Sequence, residues 1–358
     1  MEPFLISLLP GAAERWPRRL LSCTAAEHIA LAAEAAGGRW LAPEGREALL
    51  SRAAGQRLLL VLGPYAAISP ETYTRLAGQP ENAALMAGRT PLAFWGPAEQ
   101  VLALDPAALP EGYATVLCAP GEGLAAADAE SAYAVQELLR RRINCALMQQ
   151  GVFLTDPNTT HISPRARLAP GCTVLPGCLI YGESRVEEDA VIGPNTLLQD
   201  AAIGAGCTVN SSQVTESTVG AGTTVGPFAY IRPGCTIGEG VRVGDFVELK
   251  NSTVGDGTKI SHLTYIGDSD LGRRINVGCG AVTVNYDGKR KHRTTVEDDC
   301  FVGCNVNLVS PVKIGRGAYL AAGGTVTEDV PEEALVIARC RQTVKPGWVK
   351  KRREADKL

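Results

Sequence analysis

The chain has 358 residues, a formal net charge of −3 and 45% hydrophobic residues. This length is enough for two domains that each bury a core, and the charge offers no basic surface for nucleic acid or for an anionic membrane. No apolar stretch approaches the ~20 residues of a membrane-spanning helix, so we expect neither partner. The 39 glycines and the aromatic content of 5% suit short strands and tight turns better than a helical bundle.

The first apolar run, Phe4–Leu9, is short, lacks a basic flank and meets Pro10-Gly11. A secretory signal has a basic start and a longer apolar core followed by a cleavage site. The run therefore predicts a buried strand, and we expect the chain to be cytoplasmic.

Residues 1–126 mix Ala-rich helical stretches with short apolar runs. Arg57–Gly63, RLLLVLG, predicts a buried parallel strand that ends in a glycine turn. Ser69–Leu76, SPETYTRL, predicts a helix start with Ser at the cap and Pro in the first turn. This strand–turn–helix order predicts an α/β domain.

Residues 127–150 have a helical period instead. One stripe of this segment carries Val135, Leu138, Leu139, Ile143 and Leu147. We expect a linker helix that ends at Gly151.

A six-residue repeat dominates the rest of the chain. Its apolar leads are Ile162, Leu168, Val174, Ile180, Val186, Ile192 and Leu198, then Val225, Ile231, Ile237, Val243 and Leu249, then Val254, Ile260 and Ile266, and finally Val296, Val302, Leu308, Ile314, Leu320 and Val326. Several steps shorten to five residues between Leu198 and Val225, and the count breaks at residues 283–295. Three hexads form one triangular coil, so the pattern predicts a parallel β-helix over residues 151–330, with a tail at 331–358.

The cysteines follow the same repeat. The fifth place of a hexad takes a small inward side chain, and it is occupied by Cys172, Cys178, Cys207, Cys235 and Cys300. Free Cys behaves as a small hydrophobe, and no CxxC pair occurs among the 11 cysteines. We therefore interpret these five as packing residues and not as metal ligands or redox groups.

Arg232 and Lys250 are 18 residues apart and each follows an apolar lead. A coil of this length would stack them on adjacent rungs, about 4.8 Å apart, where like charges repel. Either Asp245 or Glu248 neutralises them, or they bind a phosphate, which Arg contacts bidentately and Lys as a point charge.

His262 lies at the third place of its hexad, at an outward corner where a lone His is ordinarily solvated. It is nevertheless within reach of the two cationic rungs, and Glu248 on a nearby coil could orient its ring. Histidine has an unperturbed pKa of about 6.5, which suits deprotonation of an ammonium near neutral pH. From the residues alone, His262 is either surface or a general base.

The break in the repeat contains VNYDGKRKHRT at 284–294. It is either a solvated basic loop or, with Lys289, Arg290, Lys291 and Arg293, the wall of a site for an anion. The basic tail KPGWVKKRREADKL is likewise either solvated or in contact with the phosphates of a nucleotide-like cofactor. A zinc hydratase on this repeat would need about three His ligands, and the four histidines of the chain are too dispersed.

Several motifs together resemble one family. They are LLRRRIN (138–144), GPFAYIRPG (226–234), DFVELKNS (245–252), SHLTYIGDSDLG (261–272), INVGCGAVTVNYDG (275–288), FVGCNVNLVSPVKIG (301–315) and ARCRQTVKPGW (338–348). From residue 138 to Trp348 the sequence resembles the acetyltransferase half of the bifunctional N-acetylglucosamine-1-phosphate uridylyltransferase/glucosamine-1-phosphate N-acetyltransferase family.

The resemblance implies a left-handed β-helix that forms a homotrimer with active sites between subunits, and acetyl-CoA as co-substrate. By family role, His262 is the general base, helped by Glu248. The residues implied for the sugar phosphate are Arg232, Lys250, Tyr265, Asn276 and Lys291. Those implied for acetyl-CoA are Asn285, Tyr286, Cys279, Cys304, Ala322 and Arg339. Cys279 stands where the family commonly has Ala, and Cys304 where it has Ser.

The amino-terminal part departs from the family. The glycine-rich loop that holds the nucleotide corresponds to LLPGAAERWPRRLL (8–21), which keeps Gly11, Arg15 and Pro17 but loses the second glycine. The metal-binding Gly-Asp has become Gly63-Pro64, and a proline side chain cannot coordinate Mg²⁺. We expect a shortened, degenerate domain that neither binds Mg²⁺ nor has uridylyltransferase activity.

The leading hypothesis is N-acetylation of glucosamine 1-phosphate in the pathway to UDP-N-acetylglucosamine, a cell-wall precursor. The alternatives are acetylation of another amino-sugar phosphate, or a non-catalytic trimeric scaffold whose amino-terminal remnant binds a partner.

Overall fold

A computed structural model of the chain describes residues 3–12 and 19–355. Arg15 and Pro17 of the altered loop lie outside the described residues. The chain divides between Glu216 and Ser217 into two compact units. Both contain coils of a left-handed parallel β-helix, which confirms the fold predicted from the hexads.

The first unit begins with a mixed six-stranded sheet of order β2-β1-β3-β5-β4-β6. Its elements are β1 (Leu5–Leu8), α1 (Ala25–Ala35), β2 (Arg39–Trp40), α2 (Arg46–Arg52), β3 (Arg57–Val61), α3 (Pro70–Ala77), β4 (Ala83–Ala87), β5 (Thr90–Pro97), α4 (Ala98–Val101) and β6 (Ala114–Leu117). The predicted strand at 57–63 is parallel only to β1, because β5 pairs with its other edge in the antiparallel direction.

The two helices predicted from the sequence in this unit are present. The Ser69 hydroxyl accepts a hydrogen bond from the Thr72 backbone N–H at the start of α3. The segment expected to be a linker forms α5 (Ala129–Gln149), capped by Asp128. Its apolar stripe packs Val135 and Leu139 against a small core that includes Leu21.

The coils of the first unit are short strands, and within this unit strands three apart in chain order pair in parallel. They are β7 (Phe153–Leu154), β8 (His161–Ile162), β9 (Arg167–Leu168), β10 (Thr173–Val174), β11 (Leu179–Tyr181), β12 (Arg185–Val186), β13 (Val191–Ile192), β14 (Leu197–Gln199), β15 (Ala202–Ile203), β16 (Thr208–Val209) and β17 (Gln213–Thr215). The apolar leads point inward, as Ile162 and Val174 do with no exposed surface.

The second unit repeats this arrangement. Its strands are β18 (Thr218–Val219), β19 (Thr224–Val225), β20 (Tyr230–Ile231), β21 (Thr236–Ile237), β22 (Arg242–Asp245), β23 (Glu248–Lys250), β24 (Thr253–Val254), β25 (Lys259–His262), β26 (Tyr265–Gly267), β27 (Ser269–Leu271), β28 (Asn276–Val277), β29 (Val282–Val284), β30 (Thr294–Val296), β31 (Phe301–Val302), β32 (Asn307–Val309), β33 (Val312–Ile314), β34 (Tyr319–Leu320), β35 (Thr325–Val326) and β36 (Leu335–Val336). The helix α6 (Trp348–Ala355) follows. Strand β36 lies inside the segment expected to be the tail, residues 331–358, and it pairs with β34 of the last coil.

The packing role predicted for the fifth-place cysteines is confirmed. Cys172, Cys178, Cys207, Cys235 and Cys300 are all at most 2% exposed and carry free thiols. Burial raises the pKa of the Cys172, Cys178, Cys235 and Cys300 thiols, and that of Cys172 reaches about 11.

Candidate functional site

His262 is hydrogen-bonded to Asp245, the residue in register with it on the preceding coil. His262 ends β25 and Asp245 ends β22, and the His262 Nδ1 lies 2.6 Å from the Asp245 Oδ1. This hydrogen bond is the main reason that the pKa of Asp245 is lowered. With the proton on Nδ1 donated to the carboxylate, the Nε2 lone pair is left to accept a proton from a ligand. The His262 side chain is 54% exposed, so a ligand can reach it.

Glu248, expected from the sequence to help the base, is hydrogen-bonded to another residue of the site. Its Oε1 accepts a hydrogen bond from the Arg232 guanidinium at 2.9 Å. The Arg232 backbone N–H donates to the Leu249 carbonyl, so Arg232 and Lys250 do lie on adjacent rungs. Glu248 lies beside the first of these rungs and raises the pKa of Arg232. Of the two carboxylates that the sequence offers to neutralise Arg232 and Lys250, Glu248 therefore contacts Arg232.

Lys250 is held by a different carboxylate, Asp268, which is only 7% exposed. The Lys250 Nζ lies 3.4 Å from the Asp268 Oδ2. The same carboxylate accepts hydrogen bonds from the Asn251 side chain at 2.6 Å and from the Asn285 side chain at 2.5 Å. These bonds and the lysine together keep the pKa of Asp268 low despite its burial.

Lys291, from the loop after β29, lies beside Lys250. The neighbouring Lys250 lowers the pKa of Lys291, and the charge of Arg232 acts in the same direction. Three cations therefore converge, and among the described residues two carboxylates, Glu248 and Asp268, contact them. This excess of positive charge favours an anionic ligand.

Two other side chains of the loop, Arg293 and His292, have carboxylate partners within the fold. Arg293 binds Asp270 through two short hydrogen bonds, and His292 lies 2.8 Å from Asp287. The Asp287 carboxylate also accepts the backbone N–H groups of Lys289 and Arg290. The Arg293 guanidinium is thus engaged in an ion pair with Asp270. It is therefore less available to an anion than Lys291.

Tyr265 and Asn285 meet over a glycine. A Cβ at Gly267 would lie 2.3 Å from the Tyr265 hydroxyl and 2.7 Å from the Asn285 amide nitrogen. The absence of a side chain at Gly267 lets these two polar groups pack beside the lysine cluster. Asn285, expected in the acetyl-CoA site, donates a hydrogen bond from its side-chain amide to Asp268.

The third places of successive hexads form one column along a corner of the coils. Asp245, His262, Cys279, Cys304 and Ala322 occupy it, as shown by the register of the strands. The Asn305 N–H donates to the Cys279 carbonyl and the Gly323 N–H to the Cys304 carbonyl, both at 2.8 Å. With about 4.8 Å per coil, Ala322 lies roughly 14 Å along the column from His262.

Asn276, expected in the site, is not brought to this corner by its own chain. Asn276 begins β28 and pairs with Lys259, at the opposite end of the strand from His262. Tyr286 is exposed, and its hydroxyl donates to the Gly288 carbonyl. Arg339 follows β36, where its side chain passes near Gly323.

Sequence reasoning missed the roles of Asp245 and Asp268. Asp245 precedes His262 by 17 residues because one hexad step between them has only five residues. Allowing for that short step would have found the pair. Asp268 gave no comparable signal, because its burial depends on a left-handed corner (φ 50°) that turns it toward Lys250.

In the α/β region, a carboxylate of the chain itself occupies the amino terminus of α3. Glu122 is 2% exposed and accepts hydrogen bonds from the backbone N–H groups of Ser69 and Ala119 and from the Thr72 hydroxyl, at 2.8–2.9 Å. A helix amino terminus of this kind otherwise attracts phosphate. The nearby Pro64 offers only its carbonyl, which accepts from Ala126.

Within the described residues, no cluster of three or more His, Cys, Asp or Glu side chains is arranged to hold a metal ion. None of the helices in the described part of the chain is long and apolar enough to cross a membrane.

Comparison with known proteins supports the resemblance. The model of the family "Bacterial transferase hexapeptide (six repeats)" matches residues 216–251. A bifunctional protein GlmU from an Exiguobacterium species is 51% identical over 216 residues, which are 60% of this chain and 48% of that protein. A second, from Caldanaerobacter subterraneus subsp. tengcongensis, is 51% identical over 223 residues, 62% of this chain and 49% of that protein.

The chain thus spans about half the length of the curated relatives it matches. A solved UDP-N-acetylglucosamine acyltransferase of Francisella novicida is similar at 19% identity and a TM-score of 0.29, covering 56% of this chain and 73% of that one. The identity of 51% to the two bifunctional proteins shows that the hexapeptide-repeat region of this chain is related to the bifunctional GlmU proteins, as the motifs of its sequence predict.

Proposed function

We propose that this chain transfers the acetyl group of acetyl-CoA to the amino group of glucosamine 1-phosphate, in the cytoplasmic pathway to UDP-N-acetylglucosamine. The observation that carries the proposal is the His262–Asp245 pair, on the same corner as Cys279 and Cys304 and near the rungs of Arg232 and Lys250. A base, a groove for the acyl donor and an anion clamp are the parts that this reaction needs.

In this mechanism, Nε2 of His262 takes a proton from the substrate amine as nitrogen attacks the thioester carbonyl. The Asp245 carboxylate holds the ring in the tautomer that can accept at Nε2 and stabilises the imidazolium that forms. As the tetrahedral intermediate collapses, the carbon–sulfur bond breaks, the His262 imidazolium returns the proton to the sulfur, and CoA leaves as a thiol. Glu248 contributes by holding Arg232 and not by contacting the base.

The phosphate of the sugar would bind among Arg232, Lys250 and Lys291. Lys250 and Lys291 lie side by side at the cost of mutual repulsion, and a phosphate dianion relieves it. Tyr265 lies on the same face, since its strand pairs with that of Glu248. Its hydroxyl is a candidate for the sugar or the phosphate.

The acyl donor would lie along the corner column, with its thioester beside His262 and its extended arm against Cys279, Cys304 and Ala322. The column of roughly 14 Å suits an extended pantetheine chain. Arg339, near Gly323 at the far end of the column, and the loop residue Tyr286 would contact the more distant parts of the cofactor. The basic tail would approach its phosphates.

We propose a homotrimer with the site between subunits. Phe228, Phe246 and Leu263 form an exposed apolar ladder at the same corner, each more than half exposed, with the two phenyl rings stacked at 5.5 Å. Such a ladder beside a ligand site favours burial by a second copy of the chain. Asn276, remote from His262 in its own chain, would then act in the site of a neighbouring subunit.

We also propose that the amino-terminal region has no uridylyltransferase activity. Glu122 already occupies the helix terminus that would otherwise receive a phosphate, and Pro64 replaces a metal ligand of the family.

The alternative acceptor is another amino-sugar phosphate. The same corner column and the same cations, Arg232 and Lys250, would serve it.

The test combines purified chain, acetyl-CoA and glucosamine 1-phosphate, and measures release of the CoA thiol. We expect release by the wild type and loss of release in His262→Ala, with galactosamine 1-phosphate as the competing acceptor. If the wild type is inactive on every amino-sugar phosphate, the proposed acetyltransferase activity is contradicted. The non-catalytic trimeric scaffold is then the remaining hypothesis. Pyrophosphate release with UTP, N-acetylglucosamine 1-phosphate and Mg²⁺ would contradict the assignment of the amino-terminal region.

A further inference from the structure

Cys279 and Cys304 are neighbours on consecutive coils. Their strands are in register through Val277 and Val302, and the Asn305 N–H donates to the Cys279 carbonyl at 2.8 Å. Adjacent strands are about 4.8 Å apart, which lies inside the range of about 4.4–6.8 Å that the Cα atoms of a disulfide span. The Cα atoms of Cys279 and Cys304 are therefore separated by a distance that a disulfide can span.

Nothing bulky stands between the two cysteines. Cys279 lies between Gly278 and Gly280, and Gly303 precedes Cys304. The coils approach so closely that a Cβ at Gly278 would lie 2.6 Å from the Cys304 backbone nitrogen. The cysteine side chains project from this part of the corner, beside the Asn305 side chain that packs against Gly280.

The pair is also accessible, unlike most cysteines of the repeat. Cys304 is exposed and Cys279 partly exposed, and both are free thiols. Cys172 and Cys300 are buried, and burial raises the pKa of both, so that they resist thiolate chemistry. Oxidation of this region should therefore select the corner pair.

We propose that Cys279 and Cys304 form a reversible disulfide that closes the acyl-donor groove. The second half of this statement rests on the proposed function, whereas formation of the bond does not. A bond between these two residues would tie together the first two coils beyond His262, where the thioester arm of the donor has to lie. The acetyl-transfer activity of the chain would therefore fall when low-molecular-weight disulfides accumulate.

The oxidant is a low-molecular-weight disulfide such as glutathione disulfide. The Cys304 thiolate attacks one sulfur of the oxidant, so a mixed disulfide forms and one glutathione thiolate leaves. The Cys279 thiolate then attacks the Cys304 sulfur, the protein disulfide forms, and the second glutathione leaves. Both protein thiols are oxidised, one glutathione disulfide is reduced to two thiols, and the leaving thiolates take up the two protons.

The experiment treats the full chain with glutathione disulfide, alkylates the remaining thiols and maps tryptic peptides. We expect residues 275–289 to be crosslinked to residues 294–313, with a loss of acetyl transfer that dithiothreitol reverses. Because Cys300 shares the second peptide, Cys304→Ser is included and should show no crosslink. Cys145→Ser, which removes an exposed thiol of α5, should crosslink as the wild type does.

Each rate is compared with that of the same protein before oxidation. Cys304→Ser should keep its own reduced-state rate after glutathione disulfide, whereas the wild type loses its rate. Glutathione attached without a crosslink would overturn the proposal, and so would a crosslinked protein with an unchanged rate. A reduced wild type without acetyl transfer contradicts the proposed function instead, and the peptide map then still decides whether the disulfide forms.

Discussion

Replacing Asp268 by Asn tests the buried centre of the proposed anion site. The carboxylate is 9% exposed in its side chain and contacts Lys250 at 3.4 Å. It also accepts short hydrogen bonds from Asn251 and Asn285. Asparagine has the same shape, but it has one acceptor oxygen instead of two and an amide that faces other donors.

The expected loss follows from these contacts. A hydrogen bond to a charged group contributes about 1.5–3 kcal/mol, and the Asn side chain can retain only one of the two short bonds. We therefore expect the free energy of unfolding at pH 7 to fall by about 2 kcal/mol. Since the folded-state pKa of Asp268 is lowered, its contribution is present above the unfolded pKa of about 3.9. It is lost as the pH falls through the folded-state value.

The assay is urea unfolding of the wild type and Asp268→Asn between neutral and acid pH, with Asp299→Asn as the control. Asp299 bonds Arg274 on the surface and is 45% exposed, so its replacement should change nothing measurable. The difference between wild type and Asp268→Asn should narrow on acidification. Equal stability at pH 7, or a gap that does not change with pH, would refute the role assigned to Asp268.

Further predictions concern the base, the clamp, the cysteines and the α/β region. Asp245→Asn should lower kcat about tenfold with little effect on KM, because it misorients His262 without removing it; an unchanged kcat would contradict the pairing. Lys250→Ala should raise KM for the sugar phosphate about tenfold and leave KM for acetyl-CoA unchanged, and equal effects on both would point to misfolding. Cys172, with its pKa raised to about 11, should resist iodoacetamide at pH 8 in the folded chain and react in urea. Glu122→Ala should destabilise the α/β region by about 3 kcal/mol in denaturation followed by tryptophan fluorescence, and an unchanged midpoint would count against its buried network.

The repeat was predictable because burial in a β-helix is local and periodic. Each lead such as Ile260 points inward for the same reason as the one before it, and the cysteines at the fifth places follow from the same geometry. The order of the strands needed no long-range information, since the count of six sets which residues stack.

The partners of charged side chains were harder to predict, because they depend on where the count departs from six. The short step before His262 brings it to Asp245, and Glu248 is left to bind Arg232. Asp268 reaches Lys250 through a left-handed corner that the hexad pattern does not encode. The mixed sheet of the α/β region was likewise not predictable from a strand-then-helix order, since β5 returns antiparallel to β3.

The most direct test of the account is a crystal structure of the chain with CoA and N-acetylglucosamine 1-phosphate bound. We predict that the CoA sulfur lies beside Nε2 of His262, with the pantetheine arm along Cys279 and Cys304. The sugar phosphate should contact Arg232 and Lys250. A CoA molecule bound away from this corner, or a sugar phosphate outside the reach of His262, would contradict the proposed reaction.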